Sequence, residues 1–319
     1  MTLNALLRET IIGESVVREF MTVGIGDSVR EKVYLKSGER ISDITGRQWL
    51  LALDPRVLGV WVERGAPDDL PSENAACRMY FLDSAPTDER HVAREAVAVL
   101  DLEPFTRIEE KRGTLVLMKV TNSEIRHVPS WKARLLYTRF YKKPRFSFEK
   151  LKAVAAAYSY PRRVRIISFK ESSEYNYIFP MDLLADISHA GLYLFGMRHS
   201  NRVLSKVTQQ EQIVVSEVPA ELKPLIYQLG KNHSASPPPL EQLPFATVQS
   251  REFGVHIPDW AEGYKELHIR RTLDLGSHML LLAECAQETH LKPATPRLHH
   301  IHFLQHLHLK RAGLTYPTV

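Results

Sequence analysis

The sequence has few cysteines and no long uninterrupted apolar stretch. Its two cysteines, Cys77 and Cys285, lie far apart among 319 residues and in no CxxC pair, so neither a disulfide framework nor a cysteine-rich zinc site is indicated. The longest apolar runs, such as Gly191–Met197, are much shorter than the about 20 residues of a membrane-spanning helix. The first 20 residues lack a basic start followed by an apolar stretch, which predicts no signal peptide. We therefore expect a cytoplasmic protein with reduced thiols and no membrane association.

The short motifs of several enzyme classes are also missing. Gly24-Ile25-Gly26 lacks the third glycine of a dinucleotide-binding turn, and the sequence has no P-loop, no G-x-S-x-G and no H-E-x-x-H. These absences argue against a dedicated dinucleotide-binding domain, a P-loop NTPase, a serine hydrolase of the α/β type and a zinc protease of the H-E-x-x-H type.

Charge is mildly basic and spread along the chain. The sequence has 42 Lys and Arg against 37 Asp and Glu, a net charge of +5. The densest basic clusters are RFYKKPR at Arg139–Arg145 and PRRVR at Pro161–Arg165. Such short clusters favour a solvated face or an anionic-ligand site over a nucleic-acid partner.

Two domains are predicted from length and pattern, since a domain averages roughly 100–200 residues. Residues 1–145 mix extended segments with a helical pattern and predict an α+β domain of unknown function. Within it, Val57–Val62 is apolar at every position except Gly59, which predicts a strand buried on both faces. Ser147 is suited to cap a helix that runs to about Tyr158. Residues 146–319 then alternate in short strands, as in a closed or partly closed barrel.

The order of features in this second part is informative. The strand RVRIISF is followed by the turn ESSEYN, a strand that begins at Asn176, the stretch GLYLFGMRHSNR, a short helix and the strand QIVVSEVP. In this order, residues 147–319 resemble the flavin-reductase-like, FMN-binding split-barrel family. The resemblance implies a C-terminal split β-barrel and does not extend to residues 1–145. With the pattern of those residues, the predicted fold is α+β, with a separate N-terminal α+β domain. The resemblance also implies FMN as cofactor, NAD(P)H as co-substrate and a homodimer with flavin near the subunit interface.

A basic turn is the predicted phosphate site. A phosphate needs cations and hydrogen-bond donors clustered at a strand end or a helix N-terminus. The turn between a predicted strand and a predicted helix supplies both types of group, in Arg198, His199, Ser200, Asn201 and Arg202. An exposed polar turn with solvated arginines is the alternative interpretation of the same residues.

The flavin ring needs an apolar slot with a few polar groups at its edge. The predicted wall comprises Asn176, Phe179, Pro180, Met181 and Asp182. Family members place Thr and Ser hydroxyls where this chain has Phe179 and Met181, so its ring contacts differ from the family pattern. A second polar cluster contributes Lys231 and Asn232 to cofactor binding and His233 as the catalytic group near the flavin edge, unless it is simply a capped turn.

The leading functional hypothesis is an FMN-dependent oxidoreductase of flavin-reductase type. Hydride would pass from NAD(P)H to the flavin and electrons onward to an acceptor, such as a partner protein. The alternative is a non-enzymatic flavin- or haem-binding module that serves the N-terminal domain. A third hypothesis uses the C-terminal histidines as metal ligands, because His300, His302, His306 and His308 would share one face of a strand over residues 298–309. No acidic or cysteine partner lies nearby in sequence, and we predict no metal site.

Overall fold

The computed structural model describes residues 18–26, 28–65, 71, 75–140, 147–172, 175–231 and 236–319. In these ranges the chain is rich in antiparallel sheet and has few helices, so the predicted α+β class is confirmed. No helix of the described part is both long enough and apolar enough to cross a bilayer. The first strand, β1 (Phe20–Ile25), belongs to a small sheet that is completed near the end of the chain.

Seven antiparallel strands form the N-terminal sheet, in the order β3-β2-β6-β7-β8-β5-β4. A short helix, α1 (Val92–Glu95), lies between β6 and β7. The two edge strands are consecutive in the chain and only four residues separate them, so the sheet must curl until its edges approach each other. The strands are β2 (Lys32–Ser37), β3 (Arg40–Asp43), β4 (Gln48–Leu53), β5 (Arg56–Glu63), β6 (Cys77–Leu82), β7 (Ala98–Glu110) and β8 (Gly113–Ile125).

Two helices connect the halves of the chain, α2 (Ser130–Leu135) and α3 (Phe148–Ala157). Ser147 caps α3, because its hydroxyl accepts a hydrogen bond from the backbone N–H of Lys150 at 3.3 Å. The sequence prediction of this cap is confirmed. The predicted domain boundary at residue 145 lies outside the described residues and stays a prediction. A two-residue strand, β9 (Arg162–Arg163), follows α3.

The C-terminal sheet also has seven antiparallel strands, in the order β11-β10-β14-β17-β18-β13-β12. Its edge strands are again consecutive in the chain. The strands are β10 (Arg165–Lys170), β11 (Asn176–Met181), β12 (Leu184–Ile187), β13 (Leu192–Arg198), β14 (Gln212–Glu217), β17 (Gly263–Asp274) and β18 (His278–His290). Between them lie α4 (Leu204–Gln210), α5 (Lys223–Gln228), β15 (Thr247–Gln249) and β16 (His256–Pro258).

The two sheets have the same topology. When the strands of each sheet are counted from one to seven along the chain, both sheets read 2-1-5-6-7-4-3 from edge to edge. The register agrees as well. The last residue of β5, Glu63, pairs with the first residue of β8, Gly113, and the last residue of β13, Arg198, pairs with the first residue of β18, His278. Counted from these ends, Trp61 and Gly196 are equivalent and pair with the equivalent residues Leu115 and Leu280. The N-terminal part is therefore a second example of the C-terminal strand arrangement, which the sequence did not reveal.

Each sheet packs one face on its own core and part of the other face on the opposite sheet. On β5, Leu58 and Val60 lie in the core of the N-terminal sheet, whereas Val57 and Trp61 lie in a cluster shared with the C-terminal sheet. The prediction of a strand buried on both faces is confirmed. We call this shared cluster the inter-sheet cluster; its fully or nearly fully buried members are Leu51, Ala52, Val57, Trp61, Ile108, Leu115, Leu117, Ala185, Ile187, Leu192, Leu194, Leu275, Leu280 and Leu282.

A small sheet ties the beginning of the described chain to its end. Its order is β1-β19-β9, with β19 (Arg297–His302) in the centre, and the helix α6 (Phe303–Arg311) follows. The prediction of a continuous strand over residues 298–309 is wrong. The strand stops at His302 because Nδ1 of this residue accepts a hydrogen bond from the backbone N–H of Leu304 at 3.1 Å and caps the helix.

Candidate functional site

A cavity of about 230 Å³ lies where the two sheets and the small sheet meet. Both sheets contribute to it at equivalent places, the start of β4 and the start of β12. We call it the junction pocket. Its lining includes Thr45, Gly46, Gln48 and Trp49 from the N-terminal half, and Tyr160, Arg162, Arg163, Arg165, Asp182, Leu184, Asp186 and His299 from the C-terminal half.

Gln48 and Arg162 form the buried polar base of the junction pocket. Arg162 is 5% exposed, and its guanidinium donates to the carbonyl of Ala157 and, at 2.9 Å, to Oε1 of Gln48. Both acceptors are neutral, and burial lowers the pKa of Arg162 to about 10. Nε2 of Gln48 is buried and has no hydrogen-bond partner among the described residues. A buried donor without a partner costs about 1–3 kcal/mol, so this amide nitrogen is suited to a ligand acceptor.

Arg165 is neutralised by two carboxylates on one side of the pocket. Its Nε contacts Glu217 at 2.7 Å and its Nη2 contacts Asp186 at 2.8 Å. All three groups are largely buried, and burial raises the pKa of Glu217. Such a pair is costly to break, because removal of one partner leaves a buried charge uncompensated. Arg165 therefore shapes the pocket, and Arg162 provides its less compensated positive charge.

Asp182 connects the pocket to a chain of hydrogen bonds. Its Oδ2 accepts from the hydroxyl of Tyr158 at 2.8 Å and from Nδ1 of His300 at 2.7 Å. The opposite ring nitrogen of His300 is hydrogen-bonded to the hydroxyl of Tyr227. Burial alone would raise the pKa of Asp182, but the bonds from His300 and Tyr158 hold it below its usual value. Asp182 is thus an ionised carboxylate whose position is fixed from two sides.

His299 is a neutral histidine at the pocket wall. It is 6% exposed, and burial lowers its pKa to about 4. Its Nδ1 lies 2.9 Å from the carbonyl oxygen of Arg297. In the neutral ring Nδ1 must carry the proton to make this bond, so the lone pair is on Nε2.

The structure places the predicted ring-wall residues differently from one another. Asp182 lies in the junction pocket, whereas Phe179 is 1% exposed within the core of the C-terminal sheet and Met181 packs against the same core. Pro180 is half-buried on β11. The side chain of Asn176 is buried and, with its amide oriented to satisfy both groups, accepts from the N–H of His256 at 2.9 Å and donates to a neighbouring carbonyl.

The predicted phosphate turn lies at the end of β13. His199, Ser200 and Arg202 are exposed; Nε2 of His199 lies 3.1 Å from Asp274, and Oδ1 of Asn201 accepts from the N–H of Val203.

The turn and the junction pocket are at opposite ends of β4. Arg198 pairs with His278, whose Nδ1 is 3.5 Å from the N–H of Leu53. Gln48, in the pocket, is five residues away along the same strand, about 16 Å at a strand rise of about 3.3 Å. This separates the turn from Gln48 but not from Asp182, because the backbone N–H of Gly196, two residues before Arg198, donates to the carbonyl of Leu183 at 2.8 Å.

The second predicted cluster lies largely outside the part of the chain that the structure describes. Asn232 and His233 are not among the described residues, nor is the side chain of Lys231. Their roles in cofactor binding and catalysis stay predictions. Within the ranges that the structure describes, no group of three His, Cys, Asp or Glu side chains is arranged to hold a metal ion.

Sequence reasoning identifies part of the junction pocket and misses the rest. The cluster Pro161–Arg165 is a candidate anionic-ligand site by sequence, and Arg162 and Arg165 are indeed buried in the pocket rather than solvated. Gln48 and Trp49 are missed because they are 114 and 113 residues before Arg162 in the chain. The signal in the sequence is a polar residue, Gln48, directly before the apolar run of β4.

Comparison with known proteins gives similarities among solved structures only, since no protein family and no curated protein matches the sequence. The NADH:FAD oxidoreductase SgcE6 of Streptomyces globisporus C-1027 is 17% identical with a TM-score of 0.42, over 49% of this chain and 93% of that one. An FMN-binding protein from Thermus thermophilus is 19% identical with a TM-score of 0.35, over 40% and 70%. The styrene monooxygenase flavin reductase of Pseudomonas putida S12 is 16% identical with a TM-score of 0.40, over 46% and 90%. About half of the chain is thus similar to solved flavin reductases and FMN-binding proteins.

Proposed function

We propose that the protein is a flavin-dependent oxidoreductase of flavin-reductase type, with FMN as cofactor and NAD(P)H as hydride donor. In this proposal each seven-stranded sheet is a split barrel, and the flavin ring enters the junction pocket. The observation that carries the proposal is the buried Nε2 of Gln48, which has no partner among the described residues and lies beside the guanidinium of Arg162.

The pocket fits the polar end of an isoalloxazine ring rather than a whole FMN molecule. Its volume of about 230 Å³ is below the roughly 300–1,000 Å³ of typical small-molecule sites. The pyrimidine end of the ring carries two carbonyl oxygens, which suit donation from Gln48 and Arg162. Trp49 and Tyr160, both partly buried, offer aromatic surface to a flat ligand. The remainder of the cofactor would extend from the open side of the pocket.

When bound, FMN would supply the redox chemistry, the transfer of a hydride equivalent from a nicotinamide to an acceptor. The chain's own residues would bind and orient the ring. The positive charge of Arg162 would favour the ring state that carries negative charge at the pyrimidine end, because a buried cation acts in a low dielectric. Asp182, fixed by Tyr158 and His300, would accept a hydrogen bond at the pocket wall.

The turn Arg198–Arg202 remains a separate proposal for the phosphate, and Lys231, Asn232 and His233 remain proposals for the flavin edge. Because the turn is about 16 Å along β4 from Gln48, variants of Gln48 and of the turn test the two places separately. An electron-acceptor protein is likewise a proposal, and a homodimer is what the resemblance alone implies.

The proposal is tested by FMN titration, followed by flavin fluorescence, and by bleaching of the flavin absorbance on addition of NADH or NADPH. Gln48→Met keeps the side-chain length and removes both the free donor and the Oε1 that accepts from Arg162. We therefore expect FMN affinity to fall by at least about tenfold, the value of one lost hydrogen bond of about 1.4 kcal/mol. Gln228→Met, on an exposed helix position, is the matched control and should leave affinity unchanged.

The double variant R198A/R202A separates the two places in the same titration. A loss of affinity in this variant, with Gln48→Met unchanged, would move the flavin from the junction pocket to the turn. If the wild-type protein takes up no flavin, both the junction pocket and the turn are refuted as flavin sites.

A second candidate function is a flavin- or haem-binding module without turnover. It is favoured by the position of Phe179 within the core, where the family pattern has a hydroxyl near the ring, and by the neutral His299 at the pocket wall. Flavin that binds but is not bleached by NADH or NADPH would support the flavin module, and a strong Soret band would support the haem module.

A further inference from the structure

The face that the two sheets share resembles an obligate protein–protein interface. Leu51, Trp61 and Leu194 are each fully buried in the inter-sheet cluster, and they come from both halves of the chain. An apolar face of this kind, closed by another chain, is typical of permanent dimers, whose interfaces resemble a domain core cut in half. Here it is closed by the same chain.

Equivalent strands of the two sheets supply this face. The N-terminal sheet uses β4, β5 and β8, and the C-terminal sheet uses β12, β13 and β18, which are the third, fourth and seventh strands in both counts. The sixth strands add Ile108 on β7 and Leu275 just after β17. A contact in which each partner uses the same patch is the geometry of a two-fold dimer. The two sheets are therefore arranged as two copies of one unit would be.

The two units are no longer interchangeable at this face. Trp61 and Gly196 occupy equivalent positions, since they pair with the equivalent residues Leu115 and Leu280. A Cβ atom at Gly196 would lie 1.8 Å from the backbone oxygen of Leu51. An indole there would overlap the opposite strand, so two N-terminal sheets could not pair in this way. The unlike pair packs because the glycine of one sheet faces the backbone of the other.

The junction pocket differs between its two sides in the same manner. Gln48 lies opposite Val60, and Leu184 lies opposite Phe195, so Gln48 and Leu184 are equivalent residues. One side thus presents an amide and the other an aliphatic side chain. Two identical units would present the same residue on both sides.

We infer that the chain is a fused and diverged pair, in which the N-terminal sheet takes the place of a second copy and the monomer, with one junction pocket, is the functional unit. The expected homodimer is replaced by this internal pair, because the face that a second copy would use is already covered. The further expectation of one flavin per chain rests on the proposed function; the expectation of a monomer does not.

The test uses the full chain and a disulfide across the two sheets. The backbone N–H of Asp54 donates to Oγ of Ser277 at 3.0 Å, and the N–H of Ser277 donates to the carbonyl of Asp54 at 2.8 Å. These reciprocal bonds give the short separation that a disulfide needs. We expect the D54C/S277C variant, after mild oxidation, to form a bond within one chain, seen as a faster band on a non-reducing gel. The single variants D54C and S277C are controls for pairing with Cys77 or Cys285.

Light scattering of the wild-type protein, over a wide range of concentration, completes the test. We expect one species at the chain mass of 36.5 kDa. A species of twice that mass, a disulfide between two chains, or a cysteine pair that does not react would each overturn the inference. These readouts need no flavin, so failure of flavin binding would refute the proposed function alone and would not change the result for the internal pair.

Discussion

Substitution of Gly196 by alanine tests the packing of the two sheets directly. The added Cβ would lie 1.8 Å from the carbonyl oxygen and 2.8 Å from the carbonyl carbon of Leu51, both backbone atoms of the opposite sheet. Carbon atoms in favourable contact are about 3.5–4.0 Å apart, so the two strands would have to separate by more than an ångström. Since the neighbouring side chains are fully buried, this shift would loosen the inter-sheet cluster.

The expected cost is about 3 kcal/mol of the free energy of unfolding, the upper end of the usual range for an overpacked core. Urea unfolding followed by tryptophan fluorescence measures it as a lower midpoint at unchanged slope. Gly46→Ala is the control, since Gly46 is exposed, has no atom within 4 Å of its added Cβ and does not have a positive φ. A Gly196→Ala protein within about 0.5 kcal/mol of the wild type would refute the close approach of β13 and β4.

Two further predictions concern buried charges and protons. His299 has a pKa of about 4 in the folded protein against 6.5 when unfolded, so the unfolded chain binds more protons between these values and stability is lost as the pH falls from 6.5 to 4. At pH 5 the difference is about 0.9 proton, or about 1.2 kcal/mol per pH unit, and summed from pH 7 to 5 it is about 1.8 kcal/mol. Urea unfolding at these two pH values should show His299→Gln losing about 1.8 kcal/mol less than the wild type, and equal losses would contradict a neutral buried ring. Arg165→Met removes the guanidinium that joins Asp186 and Glu217, which keep Lys265 and Arg163 as partners. The loss should be about 3 kcal/mol, the lower end for a broken buried pair, in the same assay. Arg78→Met, at a half-exposed ion pair, should cost less than about 1 kcal/mol, and equal losses would contradict the buried network.

Local patterns predicted the elements that depend on neighbouring residues. Ser147 is a helix cap because its hydroxyl is beside the first free N–H groups of α3. Val57–Val62 is buried on both faces because every position but one is large and apolar. The strand at the C-terminal histidines was extended too far, because period-two histidines do not show that His302 caps a helix.

The duplication and the pocket depend on contacts between distant residues. The two sheets preserve which positions are buried but not which residue fills them, as Trp61 and Gly196 show, so no repeat is visible in the sequence. The pocket joins Gln48 to Arg162, 114 residues apart. Of the predicted cofactor-binding residues that the structure describes, Asp182 alone lines the junction pocket. The burial pattern survives divergence because packing constrains the total volume and the polar pattern of a core more than the residue at each position.

The small sheet also determines when the chain can finish folding. Phe20 of β1 pairs with His302 of β19, so this strand has no partner until nearly the whole chain has been made. At a synthesis rate of about 5–20 residues per second, β1 waits roughly 15–55 s on the ribosome. The first strand of the described chain to be made is therefore among the last to pair. During synthesis its unpaired edge can form non-native contacts.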